Sequence, residues 1–383
     1  MLADMSVRDG LFTLPSGMTY RVLVLPDRTA ISLPVLRKIK ELVAAGGTII
    51  GPKPTEATGL ENYPQSDKEV GTLADELWAD CDGKTVKQHS FGKGRVVCGR
   101  TAREVLLTDG IGPDFTFSGG DDKTSLDYIH RRDGQTEIFF VINRSNRAEQ
   151  PICTFRISGK APELWDPISG EVRPAAAWSQ ADGRTSLPLE FPPYGSWFVV
   201  FRKTVSSEAG GSASSNSLRL RPIHKLGGQW QVEFDPKWGG PDSADFPRLV
   251  SWTDRPEQGI RFYSDTATYR KTFDLPDTAK AGGRTFLDLG DVRQLAKVRL
   301  NGRDLGVLWA TPFRVEVTGV LKPADNRLEI DVVNFWPNRI IGDQSLPEEK
   351  RFTKTNIRKL TKDTPLMPSG LLGPVKLLGT ETD

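Results

Sequence analysis

The sequence predicts a multidomain, mainly β protein, in which a partial α/β layer is followed by a small β-sandwich and then a jelly-roll β-sandwich. Three observations support this fold class. An early strand–helix–strand pattern gives way to short segments that alternate apolar and polar residues, and 37 Gly and 27 Pro supply turns for many short strands. We place the domains at residues 1–120, 121–204 and 218–383, with a linker at residues 205–217.

The first domain carries the clearest helical signal. An apolar run at residues 22–25 is followed by Ser32, which can cap a helix that has a proline in its first turn. Apolar residues recur at helical spacing until the glycines at 46–47, after which residues 48–50 form a second apolar run. Short links of this kind give a parallel crossover, so residues 1–120 are predicted to form part of a flavodoxin-like layer that lacks its earlier strands.

The second domain contains short apolar segments separated by Asp-Gly and Ser-Gly turns, as in a β-sandwich. We predict strands at residues 137–143, 154–157, 163–165 and 197–202. Asn143 begins the glycosylation sequon Asn143-Arg144-Ser145, which we interpret as a strand end because such matches often arise by chance. Residues 206–217 follow without any large apolar residue, a composition that predicts a flexible linker.

The last domain alternates apolar and polar residues most regularly. Four segments show a period of two, at residues 267–275, 296–300, 313–317 and 328–332. One polar face and one apolar face mark antiparallel strands that are buried on one side. Asn301-Gly302 is a strong hairpin signal, and the whole set predicts a jelly roll.

Composition excludes several classes of function. A net charge of +2 argues against a dedicated nucleic-acid binder, and no apolar run approaches the roughly 20 residues that a membrane helix needs. We therefore expect neither a nucleic-acid partner nor a membrane partner. The chain shows no signal peptide, so its compartment is undetermined, and it would be periplasmic or extracellular if a parent enzyme is exported. Three separated cysteines, Cys81, Cys98 and Cys153, allow one disulfide at most and form no zinc motif.

Motifs of common enzymes are also missing. The chain contains no phosphate-binding loop, no HExxH zinc motif and no GxSxG elbow, which argues against a serine or zinc hydrolase. A glycosidase needs only two carboxylates beside the scissile bond. The acidic pairs at 121–122 and 348–349 carry no specific signal and are interpreted as solvated surface acids. We therefore predict no catalytic residue and no cofactor, although Asp288, Asp291 and Asp325 offer oxygen ligands for a structural calcium.

Four segments of the last domain occur in a specific order. They are ATYRKTFDLP (267–276), LDLGDVRQLAKVRLNGRDLGVLW (287–309), PFRVEVTGVLKPADNRLEIDVVN (312–334) and FWPNRIIGD (335–343). They contain a Tyr-Arg strand, an Asn-Gly hairpin and an Asn-x-Leu-x-Ile-x-Val-x-Asn strand. In this order the domain resembles the sugar-binding, galactose-binding-like jelly roll of family-two glycoside hydrolases such as β-galactosidases and β-glucuronidases.

The resemblance extends over nearly the whole chain. The α/β segment at residues 20–50 and the segments ELWDPISGEV (163–172), PPYGSWFVVF (192–201) and PSGLLGPVKL (368–377) are similar to the C-terminal half of bacterial α-L-rhamnosidase-like glycoside hydrolases. In those enzymes the catalytic carboxylates sit in an N-terminal (β/α) barrel. The resemblance implies a carbohydrate-associated, ancillary region acting on plant or microbial glycans. The expected partners are a glycan and a catalytic barrel domain or subunit missing from this chain, so whether the chain alone is an enzyme stays open.

Eight residues are candidates for carbohydrate binding, because indole faces suit sugar rings while amide and guanidinium groups bond hydroxyls. They are Asn334, Trp336, Asn338, Arg339, Asp343, Trp230, Trp238 and Trp252. The first five follow a predicted strand end, where binding loops usually lie. A structural turn is the alternative for this run, and for the other three tryptophans we favour a role in fastening a long loop onto the sandwich. Trp309 is expected to be buried at a sheet edge.

Three functions are compatible with the sequence. The first is an ancillary region of a glycoside hydrolase. The second is a stand-alone carbohydrate-binding protein with an open groove lined by tryptophans. The third is an intact small glycosidase, which requires two carboxylates roughly 5–10 Å apart in one cleft. No residue pattern determines the sugar or the linkage.

Overall fold

The computed structural model describes residue 2 and residues 4–276 and 283–380. The chain divides into two compact units, Met1–Pro113 and Asp114–Asp383. Strands hold 37% of the residues and helices 14%, which confirms the mainly β class. Within the described residues, no helix combines the length and the apolar character needed to span a membrane.

The first unit is an α/β layer. Its strands are β1 (Ser6–Arg8), β2 (Leu11–Thr13), β3 (Thr19–Tyr20), β4 (Val22–Val24), β5 (Ala30–Ile31), β6 (Thr48–Ile50), β7 (Glu56–Ala57), β8 (Gln88–Phe91) and β9 (Gly94–Val97). Its helices are α1 (Leu33–Ala44), α2 (Gln65–Trp78) and α3 (Ala102–Thr108). One sheet has the order β4-β6-β9-β8, with β4, β6 and β9 parallel, so the predicted crossover and flavodoxin-like layer are confirmed.

Helix α1 begins after Ser32 and has a proline in its first turn, as the sequence predicts. Its apolar stripe is buried in the core of the unit and contains Leu36, Ile39, Leu42 and Val43. Beyond the helix the chain passes Gly47, where a Cβ atom would lie 2.7 Å from the ring of Phe12. The short connection from α1 to β6 therefore depends on glycine at this position.

Cys81 and Cys98 form a disulfide in the first unit, and Cys153 is a buried free thiol in the second. The bond joins the residues that follow α2 and β9, so it fastens the end of a helix to the end of a central strand. One bridge is what the three separated cysteines allow. Burial raises the pKa of the Cys153 thiol, so this group stays protonated and unreactive.

Breaking this disulfide by the change Cys98→Ser is expected to destabilise the first unit by about 2–4 kcal/mol. The two cysteines are separated by 17 residues, and the loop between them regains conformational freedom in the unfolded chain when the bond is absent. Urea unfolding of the variant beside the wild-type protein measures the loss. Thiol alkylation in non-reducing denaturant should modify Cys153 alone, and modification of three cysteines would contradict the bond.

The second unit begins with the small β-sandwich. Its strands are β10 (Phe115–Ser118), β11 (Leu126–Asp133), β12 (Thr136–Asn143), β13 (Ile152–Phe155), β14 (Lys160–Trp165), β15 (Val172–Pro174), β16 (Ser179–Ala181), β17 (Arg184–Pro188) and β18 (Ser196–Thr204). They form two antiparallel sheets, β10-β13-β17-β16 and β11-β12-β18-β14-β15, around a core rich in phenylalanine. The predicted sandwich strands are present, and β10 pairs with β13, so the sandwich begins before residue 121.

Asn143 ends β12 with a fully buried side chain. Its Nδ2 donates to the carbonyl oxygens of Arg147 at 2.7 Å and Pro192 at 3.0 Å. Its Oδ1 accepts from the backbone nitrogen and the Oγ of Ser145 at 2.9 and 2.7 Å. The amide is therefore fully used in holding the following loop, in agreement with its interpretation as a strand end.

Residues 206–217 lie along the sandwich. The backbone nitrogen of Gly211 donates to the carbonyl of Trp178 at 2.9 Å. The buried Asn216 side chain accepts from the backbone nitrogen of Ala177 at 2.8 Å and donates to its carbonyl at 2.6 Å. The sequence predicts a flexible linker here, but the small residues instead let the backbone approach closely. A Cβ atom at Gly211 would lie 2.2 Å from a carbonyl oxygen of the sandwich.

The jelly roll completes the second unit. Its strands are β19 (Leu220–Lys225), β20 (Trp230–Glu233), β21 (Ser243–Phe246), β22 (Thr266–Phe273), β23 (Thr285–Asp288), β24 (Asp291–Arg293), β25 (Leu295–Leu300), β26 (Arg303–Leu308), β27 (Arg314–Glu316), β28 (Asn326–Val333), β29 (Gly370–Gly373) and β30 (Lys376–Thr380), and its helices are α4 (Gln258–Arg261) and α5 (Pro337–Asp343). The sheets have the orders β19-β30-β23-β27, β21-β20-β22-β28-β25-β26 and β24-β29. The apolar residues of the alternating segments line one core, and Asn301-Gly302 forms the hairpin between β25 and β26, as predicted.

The outward face of the six-stranded sheet is covered by ion pairs. Arg270 on β22 bonds Glu233 on β20 and Glu329 on β28. Arg299 on β25 bonds Glu329 and Asp331 on β28, with 2.7 Å between its Nη1 and the Asp331 Oδ2. The charges on this face are therefore neutralised by partners on neighbouring strands.

Trp309 follows β26 and is 56% exposed, so the expectation that it is buried at a sheet edge is wrong. β26 is the last strand of the six-stranded sheet, and no other described strand pairs with its outer side. The neighbouring Val307 is also exposed. An apolar side chain at this edge therefore lacks an element that could cover it.

Candidate functional site

Two exposed aromatic residues follow β28 at one end of the jelly roll. The strand ends at Val333, and Asn334, Phe335 and Trp336 lead into α5. Pro337 occupies the first turn of this helix, where a missing N–H removes no helical hydrogen bond. Phe335 is 57% exposed and Trp336 is 39% exposed. The sharp change from strand to helix therefore leaves both rings at the surface.

Trp336 packs against Trp238, with 4.8 Å between the ring centroids and 74° between the ring planes. Trp238 lies in a short 3-10 turn whose N-terminus is capped by Asp235. The next residue, Gly239, has a φ of 82° and contacts Phe352 so closely that a Cβ atom would lie 2.7 Å from that ring. We refer to Trp238, Trp336 and Phe352 as the aromatic cluster.

The buried side of α5 fastens the loop that follows it. Asn338 donates to the carbonyl of Met367 at 2.7 Å and accepts from its nitrogen at 2.9 Å. The Nε of Arg339 lies 3.1 Å from Asp343 Oδ1, while Asp343 Oδ2 accepts from the nitrogen and Oγ1 of Thr353 at 2.8 and 2.6 Å. All three helix residues are 4% exposed or less. They are therefore positioning residues, not the direct sugar contacts that the sequence suggests.

Trp230 and Trp252 lie in the jelly-roll core, with exposures of 1% and 0%. The Nε1 of Trp252 donates to the hydroxyl of Tyr269 at 2.6 Å. Neither indole can offer a face to a glycan in solution. Both are core residues and not the carbohydrate-binding residues that the sequence suggests. Trp238 is half-buried. Unlike Trp230 and Trp252, it belongs to the aromatic cluster.

Asn334 contributes an unusual polar group beside the exposed rings. Its side chain is 6% exposed, and its Nδ2 has no hydrogen-bond partner. Its backbone nitrogen donates to Asp265, a residue whose φ of 127° is unfavourable for any side chain larger than glycine. This nitrogen is itself buried, so a ligand in solution does not reach it, and Asn334 belongs with the buried side chains of this segment.

Phe352 and Asp265 are site residues that sequence analysis missed. Phe352 lies in an irregular segment with no periodicity, so nothing in the sequence distinguishes it from a loop residue. Asp265 precedes β22, and its backbone conformation has no sequence signature. A search for aromatic residues in polar loops is the one signal that would have found Phe352.

Two of the three carboxylates considered as calcium ligands have arginine partners. Asp288 Oδ2 lies 2.8 Å from Arg314 Nη2, and Asp291 Oδ2 lies 2.8 Å from Arg293 Nη2. In the described parts of the chain, no three acidic, histidine or cysteine side chains are grouped so that they could hold a metal ion. A structural calcium therefore gains no support from the geometry.

One pair of carboxylates flanks a histidine in the sandwich. His130 Nδ1 lies 3.3 Å from Asp114 Oδ2, and its Nε2 lies 2.9 Å from Glu137 Oε2. Burial raises the pKa of Asp114, but hydrogen bonds from Arg156 and His130 outweigh it and hold this pKa below the usual value. Because a glycosidase acid needs a raised pKa, Asp114 is poorly suited to protonate a leaving group.

Comparison with known proteins finds two stretches of the chain similar to glycoside hydrolase families. The family model described as α-L-rhamnosidase matches residues 1–179. The family model described as glycosyl hydrolase 2 galactose-binding domain-like matches residues 252–363. Both resemblances inferred from the sequence are therefore confirmed.

Two individual proteins extend this similarity over the whole chain. A solved rhamnosidase from Novosphingobium sp. PP1Y matches 98% of this chain and 35% of its own, with a TM-score of 0.84 and 33% identity. A protein from Formosa agariphila, provisionally named a β-glucuronidase, is 22% identical over 98% of this chain and 52% of its own length. This chain therefore spans about a third of that rhamnosidase and about half of the curated relative.

Proposed function

We propose that this chain is a carbohydrate-associated, ancillary region of a glycoside hydrolase, which contacts glycan through the aromatic cluster and does not cleave it alone. The observation that carries the proposal is the pair of packed indoles, Trp238 and Trp336, with Trp336 partly exposed at one end of the jelly roll. The structural similarity to a rhamnosidase over 98% of the chain supports the link to carbohydrate.

The chemistry of the aromatic cluster suits a sugar ring. A pyranose presents apolar C–H groups on one face, which pack on an indole, and hydroxyl groups around its rim. Trp336 and Phe335 offer apolar surface that the protein leaves exposed. These rings provide the contact area for a sugar face.

The direction of the pKa shifts among the carboxyl groups argues against catalysis by this chain alone. Every described carboxyl group with a clearly shifted pKa has that pKa lowered, as at Glu163, Glu257 and Asp331, where arginine partners stabilise the charge against burial. A carboxyl group with a lowered pKa cannot serve as the protonated acid of a glycosidase near neutral pH. We infer that the catalytic barrel and its carboxylates belong to another part of the enzyme or to another subunit.

Glycan binding by the purified chain is expected to weaken about tenfold in Trp336→Ala, because one aromatic contact contributes about 1 kcal/mol or more. Calorimetric titration with neutral, rhamnose-containing oligosaccharides measures the change. Trp309→Ala is the control, since this tryptophan is also surface-exposed but lies outside the aromatic cluster. Unfolding curves of both variants check that the jelly roll remains folded under the binding conditions.

Two results would overturn the proposal. Equal weakening by Trp336→Ala and Trp309→Ala would show that exposed indoles bind sugar without a specific site. Hydrolysis of aryl α-L-rhamnosides or β-galactosides by this chain, lost in Glu137→Gln, would show that an acidic pair of the sandwich is catalytic.

A further inference from the structure

We infer that the glycan bound at the aromatic cluster is anionic, carrying carboxylate or sulfate groups that are held by the basic segment beside the cluster. This inference rests on the proposed function and narrows its ligand class. The basic segment consists of residues 348–362 and contains six basic residues and two acidic ones. The basic residues are Lys350, Arg351, Lys354, Arg358, Lys359 and Lys362.

The basic segment is exposed and its charges are unpaired. All six basic side chains are solvent-exposed, and none of them forms an ion pair within the described residues. Arg351 donates to the carbonyl oxygen of Leu346, not to an acid. Elsewhere in the jelly roll, Arg270, Arg299 and Arg314 all bond carboxylates of neighbouring strands. The basic segment is therefore a part of this domain where positive charge is left without an internal partner.

The basic segment is fastened next to the aromatic cluster and is not a free tail. Phe352 belongs to both, and Arg339 lies beneath it with 4.6 Å between the guanidinium carbon and the ring centroid. Thr353 is bound to the buried carboxylate of Asp343. Lys350 and Lys354 are each two residues from Phe352, which places their backbones within about 7 Å of it along the chain. Unpaired cations and exposed rings therefore share one surface.

A further cation reaches the cluster from the other side. The Nζ of Lys237 lies 5.1 Å from the ring centroid of Trp238. Acidic residues are also near, at Asp235 and at the start of the basic segment, Glu348 and Glu349. Asp235 is occupied in capping the turn that carries Trp238. The surroundings keep an excess of positive charge, which a neutral sugar would leave uncompensated.

An anionic glycan fits these observations better than a nucleic acid or a membrane. The rings are few and meet at a steep angle, whereas strand-binding proteins present successive stacking platforms along a basic groove. The chain as a whole carries only +2, so the positive charge is local. An acidic saccharide can pack the apolar face of a sugar ring on an aromatic side chain of the cluster. Its acidic groups can then pair with the lysine and arginine residues close by.

Matched ligand pairs test the inference by calorimetric titration of the full chain. Polygalacturonate is compared with its methyl-esterified form, and dextran sulfate with dextran, so that only the charge differs within each pair. We expect the charged member of at least one pair to bind tenfold or more tightly at low salt, with affinity falling as salt rises. The two pairs distinguish carboxylate from sulfate as the recognised group.

A charge-matched pair of variants locates the site. Lys350→Gln/Arg351→Gln/Lys354→Gln is expected to lose about tenfold in affinity for the charged ligand and to flatten its salt dependence. The control, Lys123→Gln/Arg132→Gln/Lys203→Gln, removes the same charge from exposed positions of the sandwich and should keep wild-type affinity. Thermal unfolding of both triple variants checks that the fold is intact.

The outcomes separate this inference from the proposed function. Binding of neutral glycan that depends on Trp336, with no preference for the charged members, overturns the inference and leaves the proposed function standing. Equal losses in the two triple variants, or tighter binding to duplex DNA than to any charged glycan, also overturn it. Absence of binding to every glycan removes both proposals together.

Discussion

Replacing Trp252 with alanine is expected to destabilise the second unit by about 3–5 kcal/mol, without altering any sugar-binding group. The indole is fully buried and packs edge to face against Phe234 and Tyr263, with 5.7 and 5.5 Å between the ring centroids. Its Nε1 also donates to the hydroxyl of Tyr269. The change removes these contacts and leaves a cavity that the surrounding sheets can fill only in part.

Urea unfolding followed by far-UV circular dichroism measures the effect of Trp252→Ala. Trp309→Ala is the matched control, because its ring is 56% exposed and its removal should change stability by no more than about 0.5 kcal/mol. A loss below about 1 kcal/mol in Trp252→Ala would show that this indole is not part of the core.

The change Asp343→Ala is expected to destabilise the jelly roll by about 3–5 kcal/mol, because it leaves the Arg339 guanidinium buried without its counter-charge. The two side chains are 4% and 1% exposed, so water cannot replace the lost partner. The same change removes the acceptor for the nitrogen and hydroxyl of Thr353. The loop that carries Phe352 should loosen before the strands separate.

Unfolding by urea and hydrogen exchange at residues 346–368 distinguish these two effects. Glu349→Ala is the control, since this carboxylate is exposed and lies in the same loop. Replacing both partners, in Arg339→Met/Asp343→Leu, should restore part of the stability because no charge is left buried. A double variant less stable than Asp343→Ala would show that the two side chains do not act as a pair.

Much of the fold could be predicted because its signals are local. Helix α1 is fixed by a capping serine, a proline in its first turn and a stripe of four apolar residues, all within one stretch of sequence. The jelly-roll strands follow from an alternation that only a half-buried sheet satisfies. Trp309 shows the limit, because its exposure depends on which strand lies at the edge of the six-stranded sheet.

The candidate site was only partly predictable for a different reason. The turn at Trp238 and Gly239 meets Trp336 and Phe352 across about a hundred residues of sequence, and no local pattern specifies such a meeting. Composition pointed to tryptophan as a candidate residue type but could not separate the core residue Trp252 from the half-buried Trp238. The run from Asn334 to Asp343 was located correctly as a strand end, while the burial of its polar side chains depends on how α5 docks.

The packing of residues 206–217 against the sandwich affects how the two β domains can move relative to each other. A flexible linker of small residues lets the domains that it joins move relative to one another. Here Gly211 and Asn216 are hydrogen-bonded to the sandwich, and Glu171 of the sandwich forms an ion pair with Arg284 of the jelly roll. Because the linker is held against the sandwich, it leaves the two β domains less freedom of relative motion than an unbound tether of the same length.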